Sequence, residues 1–182
     1  MRRLLALAAL LALAACAAPP RGDTTGPVLK LEAFFPGRVI ARGTFEPAFG
    51  GAPRGLTVTI DSTWDGQVLT LAEDFAYDDG ERDFKTWRLT QTGDRRFSGT
   101  REDVIGAAAA YPEGSAMRLD YYVVLKTEAY GDLTVRFRDI MLLEADGTLV
   151  NRAVVSKWGL RLGRVELRMT REAAVPKAAG AR

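Results

Sequence analysis

The chain has no histidine and a single cysteine, Cys16, among its 182 residues. Without histidine, neither a Ser-His-Asp nor a Cys-His catalytic apparatus can be built. Zinc sites of the usual Cys/His type are not available, and one thiol cannot form an internal disulfide. A functional site must therefore be made from carboxylates, arginine, lysine, tyrosine, tryptophan and apolar side chains. We expect neither a metal site nor a cofactor.

The first residues have the pattern of a secretion signal. Arg2 and Arg3 precede an unbroken Leu/Ala run over residues 4–15. This run is too short to span a bilayer, because spanning takes about 20 apolar residues. The segment Leu13-Ala14-Ala15-Cys16 resembles a bacterial lipobox, in which the cysteine becomes the first mature residue and is acylated. We predict a lipoprotein signal peptide over residues 1–15 and lipidation of Cys16; a plain secretory signal is the alternative.

Charge and the residue after Cys16 bear on localisation and partners. Arg2 and Arg3 account for the whole excess of 25 basic over 23 acidic residues, so the rest of the chain is formally neutral. A neutral chain lacks the basic excess that drives nucleic-acid binding. In the lipoprotein pattern, Asp after the cysteine favours the inner membrane, and Ala17 stands there instead. We predict a monomer in the bacterial cell envelope, lipid-anchored in the outer membrane and facing the periplasm.

The rest of the chain divides into a domain and two tails. Residues 17–27 contain three prolines and two glycines, a composition typical of flexible linkers. We therefore predict a lipidated cysteine and flexible tether over 16–27. The pattern predicts a β-barrel domain over 28–171. Residues 172–182 have no apolar period and are predicted to form a disordered tail.

Within this domain, apolar residues alternate with a period of two between turn-type dipeptides such as Asp65-Gly66. The strands are predicted at about 38–46, 55–64, 67–77, 82–92, 95–101, 103–110, 116–126, 132–144, 148–157 and 160–170. Gly163 lies where the apolar positions change phase, which indicates a bulge. Helix has little support, and its candidates are a short apolar turn over residues 29–35 and the segment 104–110. The second segment fits helix by composition and strand by position, and we assign strand.

We predict an all-β fold, a single antiparallel up-and-down (lipocalin/calycin-like) barrel of about 8–10 strands with little helix. A β-sandwich is the main competitor. A membrane-spanning barrel is not favoured, because its lipid-facing side would have to be free of charge. Ions occupy the second face of most strands here: Lys85, Arg136, Arg138, Glu144, Arg164, Glu166 and Arg168.

Two acids interrupt otherwise apolar strand faces. Glu73 shares a face with Leu71 and Phe75, and Asp139 lies between Phe137 and Met141. A carboxylate inside a barrel must be paired, because desolvation is costly. The candidate partners are Arg88, Arg136 and Arg152, and we expect Glu73 to pair with Arg88 or Arg136. The two acids either orient a ligand, or they form structural ion pairs or ordinary surface groups. The tryptophan side chains either line a ligand cavity or pack in the core. The predicted ligand-binding residues are Trp64, Glu73, Tyr77, Trp87, Arg88, Arg136 and Asp139, with no catalytic residue and no metal ligand.

Four stretches resemble a family of bacterial lipoproteins, the domain of unknown function 3833. They are FFPGRVIARGTF (34–45), TWDGQVLTLAEDFAYDDG (63–80), TWRLTQTGDRRFSGTREDVIGAA (86–108) and FRDIMLLEADGTLVNRAVVSKWGLRLG (137–163). The resemblance covers nearly the whole domain. It implies a lipobox-anchored envelope protein with a lipocalin-like barrel, and it implies no particular activity.

Three functions are compatible with these patterns. The leading hypothesis is an envelope-anchored barrel that binds an apolar or amphipathic small molecule, such as a fatty-acyl or lipid species. The second is a non-catalytic structural or interaction lipoprotein with a filled barrel. The third is an enzyme that uses Glu73, Asp103 or Asp139 with tyrosine or arginine. We expect the chain not to be an enzyme, with its lipid anchor and a possible lipid ligand as partners.

Overall fold

The computed structural model describes residues 17–127 and 131–172. Within them the chain forms one short helix, α1 (Leu31–Phe34), and ten strands. The strands are β1 (Gly37–Pro47), β2 (Arg54–Trp64), β3 (Val68–Tyr77), β4 (Arg82–Gly93), β5 (Arg96–Thr100), β6 (Ala108–Glu113), β7 (Ala116–Thr127), β8 (Gly131–Leu143), β9 (Leu149–Lys157) and β10 (Leu160–Arg171).

The strands close into an antiparallel up-and-down barrel. Each strand pairs with its neighbours in sequence, and β1 also pairs with β10, from Val39 opposite Arg171 to Pro47 opposite Gly163. The predicted fold class is therefore confirmed, and the sandwich alternative is excluded. Closure leaves no exposed sheet edge. No helix among residues 17–127 and 131–172 is long and apolar enough to cross a bilayer.

The strand limits follow the alternation closely, with one exception. The register of β9 and β10 shifts between Arg161 and Gly163, which confirms the predicted bulge. The sixth strand is predicted at 103–110 but lies at Ala108–Glu113. Residues 101–107 form a loop instead, in which Gly106 has a φ of +69°. A glycine in this left-handed region turns the chain, so pairing with β7 there is reduced to a single bridge between Val104 and Val123.

The helix α1 closes one end of the barrel, which we call the closed end. Phe35, Pro36 and Gly37 follow it, and its apolar side chains Leu31 and Phe34 are buried with Leu29. The buried Arg95 holds this plug in place. Its guanidinium donates hydrogen bonds to the carbonyl oxygens of Leu29 (2.9 Å), Gly114 (2.8 Å), Ser115 (2.7 Å) and Ala116 (2.7 Å). These acceptors satisfy a cation that would otherwise be costly to bury.

Residues 17–27, which we call the strap, run along the outside of the barrel. The N–H of Ala17 donates to the carbonyl of Gly159 (2.7 Å) at the end opposite the plug. Further along, Arg118 Nη1 donates to the carbonyl of Pro20 (2.6 Å), and the N–H of Ser115 donates to the carbonyl of Thr24 (2.8 Å). Residues 17–27 thus make fixed contacts where the composition predicts a flexible tether.

The strap explains why β9 is buried on both faces. Val150 and Val154 point out of the barrel, yet they are only 1% and 8% exposed. Pro19 and Pro20 lie beside Val154. The outward-facing Ile140, with no exposed surface, lies in register between the strap contact Arg118 and β9. Chain from the predicted tether therefore covers an apolar outer face, which adds a second, smaller core to that inside the barrel.

Candidate functional site

A cavity of about 490 Å³ occupies the barrel interior between the plug and the opposite end, which we call the mouth. Its floor is formed by Leu31 and Phe35 of the plug region. Its walls come from the inward positions of the strands and are mostly aliphatic and aromatic. The wall residues include Ala41, Val58, Leu71, Trp87, Tyr121, Val123, Phe137, Ala153, Val155 and Leu167. Toward the mouth the lining continues through partly exposed side chains, Phe45, Phe75, Leu125, Leu133 and Leu162.

Small residues leave this part of the barrel open. Ala41 and Ala153 point inward from β1 and β9, where larger side chains would cross the interior. At the closed end the corresponding space is filled by Leu69, Met117 and Leu149, which have no exposed surface. Alanine at these two wall positions thus contributes to the cavity, whereas leucine and methionine fill the closed end.

A buried ionic cluster lies in the wall. The Arg101 guanidinium binds Asp103 through Nε–Oδ1 (2.7 Å) and Nη2–Oδ2 (3.2 Å). Its Nη1 lies 3.6 Å from Glu73 Oε2, which makes an ion pair but is too long for a hydrogen bond. The same guanidinium lies over the rings of Trp87 and Tyr121, 4.8 Å and 5.7 Å from their centroids. Arg101 is thus held by two acids and two aromatic rings.

Glu73 is an unusual acid for its surroundings. Its Oε2 is buried, and no hydrogen-bond donor of the described residues reaches it. Burial raises the pKa of Glu73 to about 7, against the lowering effect of the Arg101 charge. At neutral pH this carboxyl is therefore divided between its protonated and ionised forms. In either form it has an unused polar atom in an apolar wall.

Asp139, on β8, is also a buried acid in the cavity wall with one oxygen that lacks a hydrogen-bond partner among the described residues. It is 4% exposed, and its Oδ2 accepts a hydrogen bond from Asn151 Nδ2 (3.1 Å). Asp139 Oδ1 and Asn151 Oδ1 are buried without a hydrogen-bond partner among the described residues. Burial raises the pKa of Asp139 to about 7, with the hydrogen bond from Asn151 opposing the rise. Burial also raises the pKa of the nearby Tyr121 phenol well above its usual value.

The mouth has a second group of charges. Arg54 lies 3.7 Å above the centre of the Tyr77 ring and pairs with Asp79 (2.7 Å) and Glu81 (2.5 Å). Lys85 Nζ binds Asp83 Oδ1 at 2.9 Å. Lys85 was expected on the outer face; it lines the cavity, because Asp83, Lys85 and Trp87 share the inward parity of β4.

The cavity collects four of the seven residues predicted for the site: Glu73, Tyr77, Trp87 and Asp139. Trp64 packs edge-on against Phe97 in the core (6.4 Å between centroids) and does not line the cavity.

Arg88 and Arg136 were expected to pair with Glu73, and this expectation is wrong. Both lie on the outer parity of their strands. Arg136 binds Asp120 there (Nε–Oδ1, 2.8 Å), and Arg152 pairs with Glu166 (3.0 Å). The partner of Glu73 is Arg101.

Sequence reasoning missed Arg101 as the partner of Glu73. Its parity could have found it, since Phe97 and Gly99 of β5 point inward and Arg101 follows two positions later. The inward position of Asn151 could have been predicted in the same way, because Leu149 and Ala153 share its parity on β9. Asp103, named only as a possible catalytic acid, does line the cavity. Cys16 and residues 1–15 lie outside the described residues, so lipidation stays a prediction.

Comparison with known proteins gives a family and a fold. A family model described as "Protein of unknown function (DUF3833)" matches residues 10–171. A search of curated proteins finds no match. Among solved structures, an S-type phycobiliprotein lyase from Guillardia theta aligns with a TM-score of 0.57 and 10% identity, covering 81% of this chain and 95% of that chain. At this identity the likeness shows the fold alone.

This likeness corrects one expectation. From sequence we expected a barrel that is not an enzyme. That expectation is wrong, because a solved structure with this barrel architecture is a lyase. The barrel therefore gives no argument against catalysis, and chemistry has to be judged from the residues of the cavity.

Proposed function

This chain belongs to the DUF3833 family of proteins of unknown function, and we propose that its barrel binds an amphipathic small molecule, such as a fatty-acyl or lipid species, in the central cavity. The observation that carries the proposal is an apolar cavity of about 490 Å³ whose wall contains buried polar atoms with no hydrogen-bond partner among the described residues. Small-molecule sites have this combination of apolar walls and a few placed polar groups, at volumes of about 300–1,000 Å³.

The polar cluster fits an oxygen-bearing head group. Protonated Glu73 or Asp139 donates a hydrogen bond, and the Arg101 guanidinium attracts a carboxylate or phosphate oxygen. The apolar walls from Val123 and Val155 to Leu133 then hold a hydrocarbon chain that extends toward the mouth. A barrel filled by its own side chains, the alternative from the sequence, does not fit a cavity of this size.

If the barrel interior had only a structural role, apolar residues would be favoured over Glu73 and Asp139. A buried carboxyl with an unpaired oxygen costs free energy, and an apolar residue of similar size would remove that cost. We therefore expect Glu73 to contribute to ligand binding rather than to stability.

Titration with a fluorescent long-chain fatty acid tests this function. Glu73→Leu should weaken binding of the probe by about tenfold, the loss of one charge-assisted hydrogen bond, while the thermal midpoint stays the same or rises. Glu166→Leu on the outer face is the matched control and should bind the probe like the wild type. Failure of the wild type to bind in a saturable manner would refute the proposal, as would equal affinities for wild type and Glu73→Leu.

A second function is proton transfer to a bound molecule. It is favoured by one observation, that Glu73 and Asp139 face the same cavity and both have a pKa of about 7. Carboxyls with such values act as acids and bases at neutral pH. A fatty acid whose C–H protons are activated by a neighbouring carbonyl, such as a 3-oxo fatty acid, should then take up carbon-bound deuterium from D₂O faster with the protein than without it, and Glu73→Gln with Asp139→Asn should abolish this acceleration. Equal uptake by wild type and the double variant, or none by either, would exclude this function.

A further inference from the structure

Three apolar side chains are exposed together beside the mouth. Trp158 and Leu160, at the tip of the β9–β10 hairpin, are 95% and 44% exposed, and Phe49, in the β1–β2 loop, is 68% exposed. The two tips are neighbours, since β1 pairs with β10 and the N–H of Ala48 donates to the carbonyl of Leu162 (2.8 Å). We call Phe49, Trp158 and Leu160 the apolar rim.

Trp158 has a backbone conformation that few large residues adopt. Its φ is +51°, followed by +81° at Gly159, which is the left-handed pair of a tight hairpin turn. Asparagine, aspartate or glycine is usual at the first position, because a large side chain is disfavoured there. The turn thus holds an indole ring away from the barrel and into solvent, where it adds nothing to the core.

The strap begins at this same turn. The N–H of Ala17 is bound to the carbonyl of Gly159, the residue after Trp158. Ala17 is the residue that follows the predicted lipidation site in the sequence, so the described chain begins beside the apolar rim. Acyl chains attached one residue before Ala17 would therefore enter a bilayer on this side of the barrel. The strap contacts at Pro20 and Thr24 prevent residues 17–27 from acting as a long spacer.

From these observations we infer that the mouth of the barrel lies on a lipid bilayer, with the apolar rim inserted among the head groups next to the acylated Cys16. Tryptophan favours this interface, because its ring is apolar and its N–H is a donor. Lys157, whose Nζ lies 4.7 Å from the centre of the Trp158 ring, and the exposed Arg161 flank the rim and suit lipid phosphates. The inference rests on the predicted lipidation and does not depend on what the cavity binds.

The charges of the mouth are compatible with this orientation. Asp79 and Glu81 of the β3–β4 turn lie at the same end, but both are paired with Arg54. A bilayer at this end would bring the mouth of the cavity to the lipid surface. Amphipathic molecules would then pass between bilayer and barrel without crossing water.

Quenching of tryptophan fluorescence tests the orientation. The acylated full chain is placed in phosphatidylcholine vesicles whose acyl chains are brominated near the head group, and its emission is compared with that in plain vesicles. We expect strong quenching, because Trp158 is the tryptophan outside the barrel, whereas Trp87 is buried and Trp64 packs against the core. Trp158→Phe should remove most of the quenching while the protein remains on the vesicles.

A relocated tryptophan is the matched control. Gln67 is exposed in the β2–β3 turn at the closed end, so Gln67→Trp combined with Trp158→Phe moves the indole to the opposite pole. We expect this variant to show little quenching. Equal quenching of both positions would mean that the barrel has no fixed orientation, and quenching only at position 67 would mean that the closed end faces lipid.

Two further outcomes would also overturn the inference. One is a full chain that does not associate with the vesicles. The other is vesicle-bound protein with unquenched Trp158, which would assign the apolar rim to a protein partner or a second copy of the chain. Binding of the fatty-acid probe in the absence of vesicles should be the same for wild type and Trp158→Phe, which separates this test from that of the proposed function.

Discussion

The two halves of the barrel interior follow the same strand alternation but differ in what fills them. At the closed end, Leu69 and Leu149 have no exposed surface, and α1 and Arg95 seal the opening. Toward the mouth, Ala41 and Ala153 leave a cavity, and Glu73 and Asp139 interrupt its wall. One barrel thus has a packed end, and an end with a cavity that we propose binds the ligand and call the binding end. The two ends differ in side-chain size and charge at their inward positions.

The largest effect is expected from truncating a leucine side chain at the closed end. Leu69→Ala removes a fully buried side chain that lies opposite Trp64 and Leu89. The surrounding strands cannot collapse into the space, so we expect a loss of about 2–5 kcal/mol in the free energy of unfolding. Urea denaturation measures it. A loss below about 1 kcal/mol would mean that the closed end is not a packed core.

The acids of the binding end should make stability depend on pH. The folded-state pKa values of Glu73 and Asp139 are about 7, above the ordinary 4.5 and 3.8. The folded chain therefore holds more protons than the unfolded chain between about pH 4.5 and 7, and stability should fall as pH rises through this window. A rise of one pKa unit corresponds to about 1.4 kcal/mol, so the fall should be large enough to measure by denaturation.

Urea denaturation at several pH values checks this dependence. Glu73→Gln with Asp139→Asn should flatten the curve between pH 4.5 and 7. Below this window the outer acids act with the opposite sign, because the pKa of Asp61 and Asp79 is lowered by Arg38 and Arg54. A double variant with the same slope as the wild type would show that the interior acids are ionised normally.

The smallest effect is expected from a leucine-to-alanine substitution at the mouth. Leu133 points into the cavity and is only partly buried. Leu133→Ala opens no new void, so we expect a loss of about 1 kcal/mol or less, with weaker binding of the fatty-acid probe. Denaturation and probe titration measure the two effects. A cost equal to that of Leu69→Ala would contradict the division of the interior.

The barrel could be predicted from the sequence, because burial of one face of each strand makes apolar residues alternate with a period of two. That period placed nine of the ten strands within a residue or two and found the bulge at Gly163. The sixth strand was misplaced because an alanine-rich segment has no strong alternation. The inward acids Glu73 and Asp139 could be identified because a charge stands out in an apolar face.

Parity could have placed Arg101 and Asn151 on inward faces, but spacing alone does not show which acid each of them contacts. Which arginine meets Glu73 depends on the stagger of strands around the closed barrel, and Arg101 comes from a loop between two short strands. Arg95 and the strap were missed for a different reason. Their contacts are to backbone carbonyls, such as those of Leu29 and Pro20. Every residue has a backbone carbonyl, so residue types do not indicate which of them accept hydrogen bonds.

Nuclear Overhauser effects between an unlabelled long-chain fatty acid and ¹³C-labelled methyl groups show, residue by residue, where the ligand lies in the barrel. We expect contacts to Leu125, Leu133 and Val155 at the binding end, and none to Val39, Leu69 or Leu149 at the closed end. Contacts confined to outward-facing Val150 and Val154, or no contact with any interior methyl group, would contradict this expectation.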